Sequence, residues 1–415
     1  MGEQVLQVHI SISAEDRIAT FTLGTDGALT HQADFSLSGG PGPLALSPDS
    51  TTLYCSRRGA AIVSSLALEH DTGLPVRETG AVDEVSQSVY IGLDPKGAHL
   101  LSCCNGDGRV SAHRLASDGS IVRGQPPTST VYGATGAHSV NADPSGRFVF
   151  VPHVGWDGYP LVSAGGTPAE RAKAKAVYNQ SDAVYQFTFD SQTGTLVPNN
   201  TPICHYEWMG RGPRHMCFHP TLPMAYTTDE MSSTITALSL NTATGELKIE
   251  QSVSLLPERG RWAEHLNAVD FTDAQSGDDE TLVSQLKVLQ RDREEDADVN
   301  SAAQLRMHPS GRWLFAPNRG HDTIACFEVG QDDGLLSLIE RVPTEPHTRG
   351  IAMDPNGRFL LAAGVYSGAV SVYRVQSSGL LRFVHRQMVG EAPMWIIVAS
   401  PRGIPISFPS DRAAL

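Results

Sequence analysis

Apolar and polar residues alternate along this chain in short runs, and the runs recur in a fixed order. One phrase is an apolar residue, a Pro, a turn and a hydrophobic run. It reads LSPDSTTLYCS at 46–56, LDPKGAHLLSC at 93–103, ADPSGRFVFVP at 142–152, FHPTLPMAYTT at 218–228, MHPSGRWLFAP at 307–317 and MDPNGRFLLAA at 353–363. A second phrase is an alternating run closed by a turn ending in Gly. Seven runs fit it: Ile18–Leu23, Ile62–Leu68, Val110–Leu115, Val184–Phe189, Ile235–Leu240, Ile324–Val329 and Val370–Val375. Their turns end in Gly27, Gly73, Gly119, Gly194, Gly245, Gly334 and Gly379. A period of two marks strands, and Gly accepts the positive φ that a hairpin turn requires.

The spacing predicts the architecture. From Pro48, Pro95, Pro144, Pro220, Pro309 and Pro355 to the next turn glycine the gaps are 25, 24, 50, 25, 25 and 24 residues. A period of about 46 residues with four strand-like runs per unit predicts an all-β, seven-bladed β-propeller of four-stranded blades. A β-sandwich array would not need seven equal units. The run Trp395–Val398 has no partner strand after it, while Gln4–Leu37 supplies three strands with no innermost strand before them. Joined, they complete one blade and close the ring without an exposed edge. Residues 1–415 are therefore read as one domain.

Two segments break the period. One, at about 155–181, falls between the second and third strands of the third unit, with a helix-prone centre at Pro168–Val177. The other, at about 264–300, falls between the fourth and fifth units. Each reads either as a surface loop or as a lid over one face of the ring.

Composition narrows the partners. Apolar residues make up 40% and charged residues 18%, which excludes wholesale disorder. A formal charge of −14 argues against nucleic acid or an anionic membrane as a partner. No apolar run approaches the roughly 20 residues of a membrane helix. The opening MGEQVLQVHI lacks a basic stretch before an apolar core, so no signal peptide is expected. Cys55, Cys103, Cys104, Cys204, Cys217 and Cys326 form no CxxC pair and no disulfide framework. Together these features predict a cytoplasmic protein.

Innermost strands line a propeller's channel, so polar residues at equivalent repeat positions converge there. These strands carry Ala137-His138-Ser139, Pro213-Arg214-His215, Gln304-Leu305-Arg306, Thr348-Arg349 and Met394-Trp395. The loops after the second strands carry Arg57-Arg58, Asn105, His153, Asp229-Glu230 and Asn318-Arg319. The His and acidic residues are scattered among blades rather than set at a ligand spacing, and no metal ligands are assigned.

At these positions the sequence resembles a known family. GAHSVNADPSGRFVFVPHVG, GRGPRHMCFHP, TTDEMSSTI, PTEPHTRGIAMDPNGRFLLAAG and VGEAPMWIIV are similar to the lactonase family of seven-bladed propellers. That family includes bacterial 6-phosphogluconolactonases and fungal 3-carboxy-cis,cis-muconate lactonising enzymes. The resemblance runs from about Gly27 to Val398. It implies opening or closing of a lactone ring without a required cofactor. It implicates the matching His138, Arg214, Glu230 and Arg319, with His215 and Arg349 beside them. Gln304 stands where many members place an acidic residue, and His153-Val154-Gly155 where phosphogluconolactonase-like members carry Asp-Leu-Gly.

The residue types suit that chemistry. A His or Glu takes a proton from water when its surroundings hold its pKa near working pH. Arg binds carboxylate or phosphate through two parallel hydrogen bonds and stabilises developing negative charge. His138 and Glu230 are thus the candidate base and acid, with Arg214 and Arg319. His215, Arg349, His153, Arg57 and Trp395 are candidates for contact with a small lactone or carboxylate substrate. The plainer alternatives are a buried His138 bridging strands, a Glu230 that pairs with Arg214 or Arg319, and a His215 and Trp395 that only pack. Three functions compete: a lactonase for a sugar-acid-type lactone, a muconate-type cycloisomerase or lactone isomerase, and a non-catalytic protein-binding propeller.

Overall fold

Each repeat folds into a four-stranded antiparallel sheet, and seven such sheets stand in a ring with their first strands in contact around the axis. The computed structural model describes residues 6–155, 182–206, 210–256 and 300–399. From inside outward the first blade is Pro41–Leu46, Thr52–Arg57, Ile62–Leu68 and Pro75–Asp83. The second is Ser88–Leu93, His99–Cys104, Arg109–Arg114 and Ser129–Tyr132. The third is Asn141–Ala142, Phe148–His153, Ala183–Asp190 and Thr195–His205. The fourth is Pro213–Phe218, Met224–Asp229, Thr234–Asn241 and Glu246–Ser254. In the fifth the innermost strand comes in two pieces, Ser301–Ala302 and Arg306–Met307, followed by Trp313–Arg319, Thr323–Val329 and Leu336–Pro343. The sixth is Thr348–Met353, Phe359–Gly364, Ala369–Val375 and Leu381–Met388. The seventh joins the two ends of the chain: Pro393–Ala399 lies innermost and pairs with Leu6–Ile12, with Val8 opposite Val398 and Ile10 opposite Ile396.

The repeated phrases have local physical causes. The residue before each repeat Pro ties up the backbone of the turn that follows. Asp94, Asp143 and Asp354 each accept from the amide five residues on, at His99 (2.6 Å), Phe148 (2.8 Å) and Phe359 (2.6 Å). His219 and His308 do the same job with Nδ1, accepting from Leu222 N (2.9 Å) and Ser310 N (3.1 Å). That fixes the proton on Nε2, which donates to Gly311 O (2.9 Å) and Gly357 O (3.1 Å) in the next blade. All seven turn glycines have positive φ. At Gly245 an added Cβ would also lie 2.2 Å from the Phe148 ring of the neighbouring blade, so only Gly closes that hairpin.

Period-two alternation gives each blade two apolar faces. Leu360 and Ala362 join Phe315 and Ile324 between the fifth and sixth blades. Leu361 and Ala363, one residue along, join Ile10 and Phe21 between the sixth and seventh. The core is thus a ring of inter-blade clusters. Truncating a buried Leu such as Leu361 to Ala costs about 2–5 kcal/mol. No helix among the described residues is long and apolar enough to cross a membrane. The expected helix-prone stretch Pro168–Val177, and nearly all of the two expected insertions, lie outside the described residues.

Candidate active site

The start of each innermost strand faces the end of the second strand of the same blade: Pro213 opposite Asp229, Thr348 opposite Gly364, Pro41 opposite Arg57. At this end of the channel the ladders are irregular. Five innermost strands carry one residue too many for their partner, between Pro41 and Leu44, Ser88 and Tyr90, Pro213 and His215, Thr348 and Gly350, and Pro393 and Ser11's partner Trp395. Such a bulge re-aims a side chain. Pro43, Val89, Arg214, Arg349 and Met394, which lie in these intervals, all line one cavity. In the other two blades the innermost strand is interrupted instead, and His138 and Gln304 enter the same cavity from the breaks. The lost ladder bonds are replaced. His138 N donates to Pro152 O (2.9 Å), Thr228 Oγ1 to Ala303 O (2.7 Å), and Ile351 N to Gln304 Oε1 (3.0 Å).

Arg58, His215 and Trp395 complete the lining. The cavity holds about 260 Å3 of empty space counting its open mouth, of which only about 10 Å3 admits the centre of a water molecule. The narrow part therefore has room for about one water.

Behind the cavity Glu230 joins two arginines. Arg214 Nε donates to its Oε2 (2.8 Å), and Arg319 Nη2 donates to its Oε1. Arg319 also donates to Ala302 O (3.0 Å) and Ser301 O (3.3 Å), which turns it away from the cavity. Burial works to raise the Glu230 pKa, but Arg319, Arg214 and His138 outweigh it and hold the carboxyl well below its ordinary range. Glu230 is a fixed carboxylate.

The remaining groups are cationic or neutral, and several lack partners. Arg214 Nη1, Arg58 Nε, His138 Nδ1, His215 Nε2 and Gln304 Nε2 are buried without a hydrogen bond. Among the described residues the Arg349 guanidinium has no hydrogen-bond partner. Burial, then the charges of Arg214 and Arg319, push its pKa well below the usual guanidinium value. Burial pushes Arg214 down to about 10. His138 is held well below 6.5 by burial, then by Arg214 and Arg349. His215 is held low by burial and Arg214, packed 5.4 Å from His138, 5.3 Å from Tyr90 and 5.6 Å from Trp395 between ring centroids. Four guanidiniums, Arg58, Arg214, Arg319 and Arg349, thus face one carboxylate, and both imidazoles are neutral. An anion entering this space would meet unpaired donors whose own desolvation it relieves.

The structure brings His138, Arg214, His215, Arg349 and Trp395 together on one cavity, with Glu230 and Arg319 bonded behind them. It does not bring Arg57 or His153 there. Arg57 Nε donates to Ser38 O (2.6 Å), and its Nη1 lies 3.8 Å from Glu78, on the side of its blade. Arg58 takes the place expected of Arg57, its stem lying over Gly42, where a Cβ would come within 2.8 Å. His153 donates from Nδ1 to Val151 O (2.8 Å) and packs 4.2 Å from the Tyr185 ring, facing the second–third blade core. Sequence reasoning placed Gln304 on an innermost strand without making it a candidate, and missed Pro43 and Val89 as lining residues. The one available signal was the Pro that opens three bulged strands, at 41, 213 and 393. Among the described residues no group of three or more His, Cys, Asp or Glu side chains is placed to hold a metal ion.

The family profile described as "Lactonase, 7-bladed beta-propeller" matches residues 7–163 and 176–398. A 6-phosphogluconolactonase of Serratia proteamaculans is 26% identical over 392 residues, covering 94% of this chain and 98% of the relative. One of Cronobacter sakazakii is 28% identical over 393 residues, covering 94% and 97%. The solved structure of the periplasmic gluconolactonase of Pseudomonas aeruginosa shares the fold, with a TM-score of 0.73, 19% identity, and coverage of 95% of this chain and 99% of that one. With nine-tenths of its length matched by that profile and a closed ring of seven four-stranded blades, this chain belongs to the lactonase family of seven-bladed β-propellers.

Proposed function

We propose that this lactonase hydrolyses a sugar-acid-type lactone that carries negative charge. The relatives named 6-phosphogluconolactonase make a phosphorylated aldonolactone the first candidate. The single observation that carries the reading is the neutral His138, with a free Nδ1, set among guanidiniums of which Arg58 and Arg349 have no counter-charge.

In this reading the anionic group of the substrate binds Arg349 and Arg58. His138 Nδ1 takes a proton from water as the water oxygen adds to the lactone carbonyl. The free Nη1 of Arg214 donates to the oxyanion of the tetrahedral intermediate. Collapse breaks the ring C–O bond, and the imidazolium returns its proton to the leaving alkoxide. Both oxygens of Glu230 are occupied by Arg214 and Arg319, so its part is to hold Arg214 in place rather than to act as the acid. The charges that depress His138 are those a bound anion would offset, so substrate binding itself raises the basicity of His138.

The test is a panel of aldonolactones and muconates given to purified protein, following proton release and ultraviolet absorbance. Proton release from lactones alone is expected. Absorbance change with muconates alone, or silence with both, would overturn the reading.

A further inference from the structure

An exposed aromatic stands at the end of the blades that carries the cavity-lining residues. Tyr366, in the turn between Phe359–Gly364 and Ala369–Val375, is 76% exposed. One side of its ring lies flat on His347, with centroids 4.3 Å apart and planes 21° from parallel. A tyrosine this exposed contributes little to the core. Yet its support is held in place from several directions. His347 has a φ of +55°, uncommon for a residue with a side chain, and such strain persists only where the surroundings impose it. Its amide donates to Asp322 Oδ1 of the fifth blade (2.8 Å), and its carbonyl accepts from Val365 N (3.3 Å).

The placement ties this pair to the site. His347 directly precedes Thr348, whose register partner is Gly364, and the bulge residue Arg349 follows. The His347 imidazole is close enough to Arg319, Arg349 and Glu230 to feel their charges. Burial first, then the two arginines, push its pKa down to about 4, so it presents a neutral ring.

We propose that Tyr366, stacked on His347, is a specificity-determining platform at the cavity mouth, against which the C–H face of the lactone ring lies while the anionic group reaches Arg349. This rests on the lactone reading above. An aromatic face stacks on a compact ring better than on a flexible open chain, so the platform favours the cyclic substrate over its hydroxy-acid product.

The test compares wild type, Tyr366→Ala and Tyr366→Phe, with the best aldonolactone of the panel as substrate and its hydroxy acid as inhibitor. Tyr366→Ala is expected to raise KM roughly 3- to 10-fold, the size of one aromatic contact. Its kcat, its product inhibition constant and its melting temperature stay at wild-type values, and Tyr366→Phe behaves as wild type. An unchanged KM, a kcat effect, or an equal weakening of lactone and product would each overturn the platform. A wild type that opens no lactone removes the functional reading, and the platform's ligand with it. A wild type that opens lactones while Tyr366→Ala matches it removes the platform alone.

Discussion

The two ends of the innermost strands obey opposite rules. At the end that turns into the second strand, the capping side chains find partners. Asp94, Asp143 and Asp354 cap their turns, and His219 has both ring nitrogens bonded, one to its own turn and one to the next blade. At the other end, His138 Nδ1, His215 Nε2, Arg214 Nη1 and Arg58 Nε are buried and unpaired. The repeat builds the first end with an Asp or His cap before the Pro in blade after blade, and departures from the repeat build the second. Folding stability is collected where hydrogen bonds are complete; the proposed function assigns affinity and catalysis to the end where they are not, because an unpaired buried donor is a group a ligand can satisfy.

Substitutions at the two ends should therefore fail in different ways. The largest effect is expected at His138. His138→Ala lowers kcat/KM on the order of 10^2–10^4, the typical contribution of a general base, while thermal unfolding stays near wild type. Equal loss of stability and activity would erase the contrast. His219→Ala reverses the pattern. It strands Leu222 N and Gly311 O, costs about 1–3 kcal/mol of stability, and leaves the activity of the folded fraction intact.

The adjacent arginines sharpen the comparison within one turn. Arg58→Met should raise KM about tenfold, the size of one charge-assisted hydrogen bond, and the effect should shrink with salt. Arg57→Met, whose guanidinium is spent on Ser38 and Glu78, should leave KM unchanged. Steady-state kinetics at two ionic strengths separates the pair.

The smallest effect is the pH dependence. His138 in the free enzyme has its pKa held well below 6.5, so it is already an unprotonated base at neutral pH. kcat/KM should stay flat from about pH 6.5 to 8 and fall only on the acid side; a rise across that window would place the base elsewhere. Stability has the same sign. His9 and His153 are buried with pKa lowered from 6.5 to about 4, so the unfolded chain binds more protons than the folded one. Their contribution is complete above about 6.5 and is lost as pH falls toward 4. Unfolding midpoints along a pH series check it.

Much of the fold was legible because its signals are local. Pro48 and Gly73 stand 25 residues apart for reasons contained in one blade: a turn after the innermost strand and a hairpin before the outermost. Ring closure was legible because Trp395–Val398 had no partner following it and Gln4–Leu37 none before it. His138, Arg214 and Glu230 stood out because His, Arg and Glu concentrate at equivalent repeat positions, where ordinary blade positions hold Val, Ala or Ser. What the sequence hid is register. Arg57 and Arg58 differ by one position, and one position moves a side chain from the flank of a blade to the channel. His153 failed for the same reason, since its alternation phase matches Val149 and Val151 on the inter-blade face. The bulges that aim Arg214 and Arg349 inward exist only as a mismatch between two strands, and no single segment records that mismatch.

The central claim is that the unpaired end of the channel is built for an anionic lactone. The most direct measurement is kcat/KM of the wild-type protein for a phosphorylated aldonolactone against its uncharged parent, at low and high salt. Two charge-assisted contacts, from Arg58 and Arg349, predict a preference of about 10^2 or more for the charged lactone, shrinking as salt rises. Equal rates for the two lactones, at either salt, would contradict it.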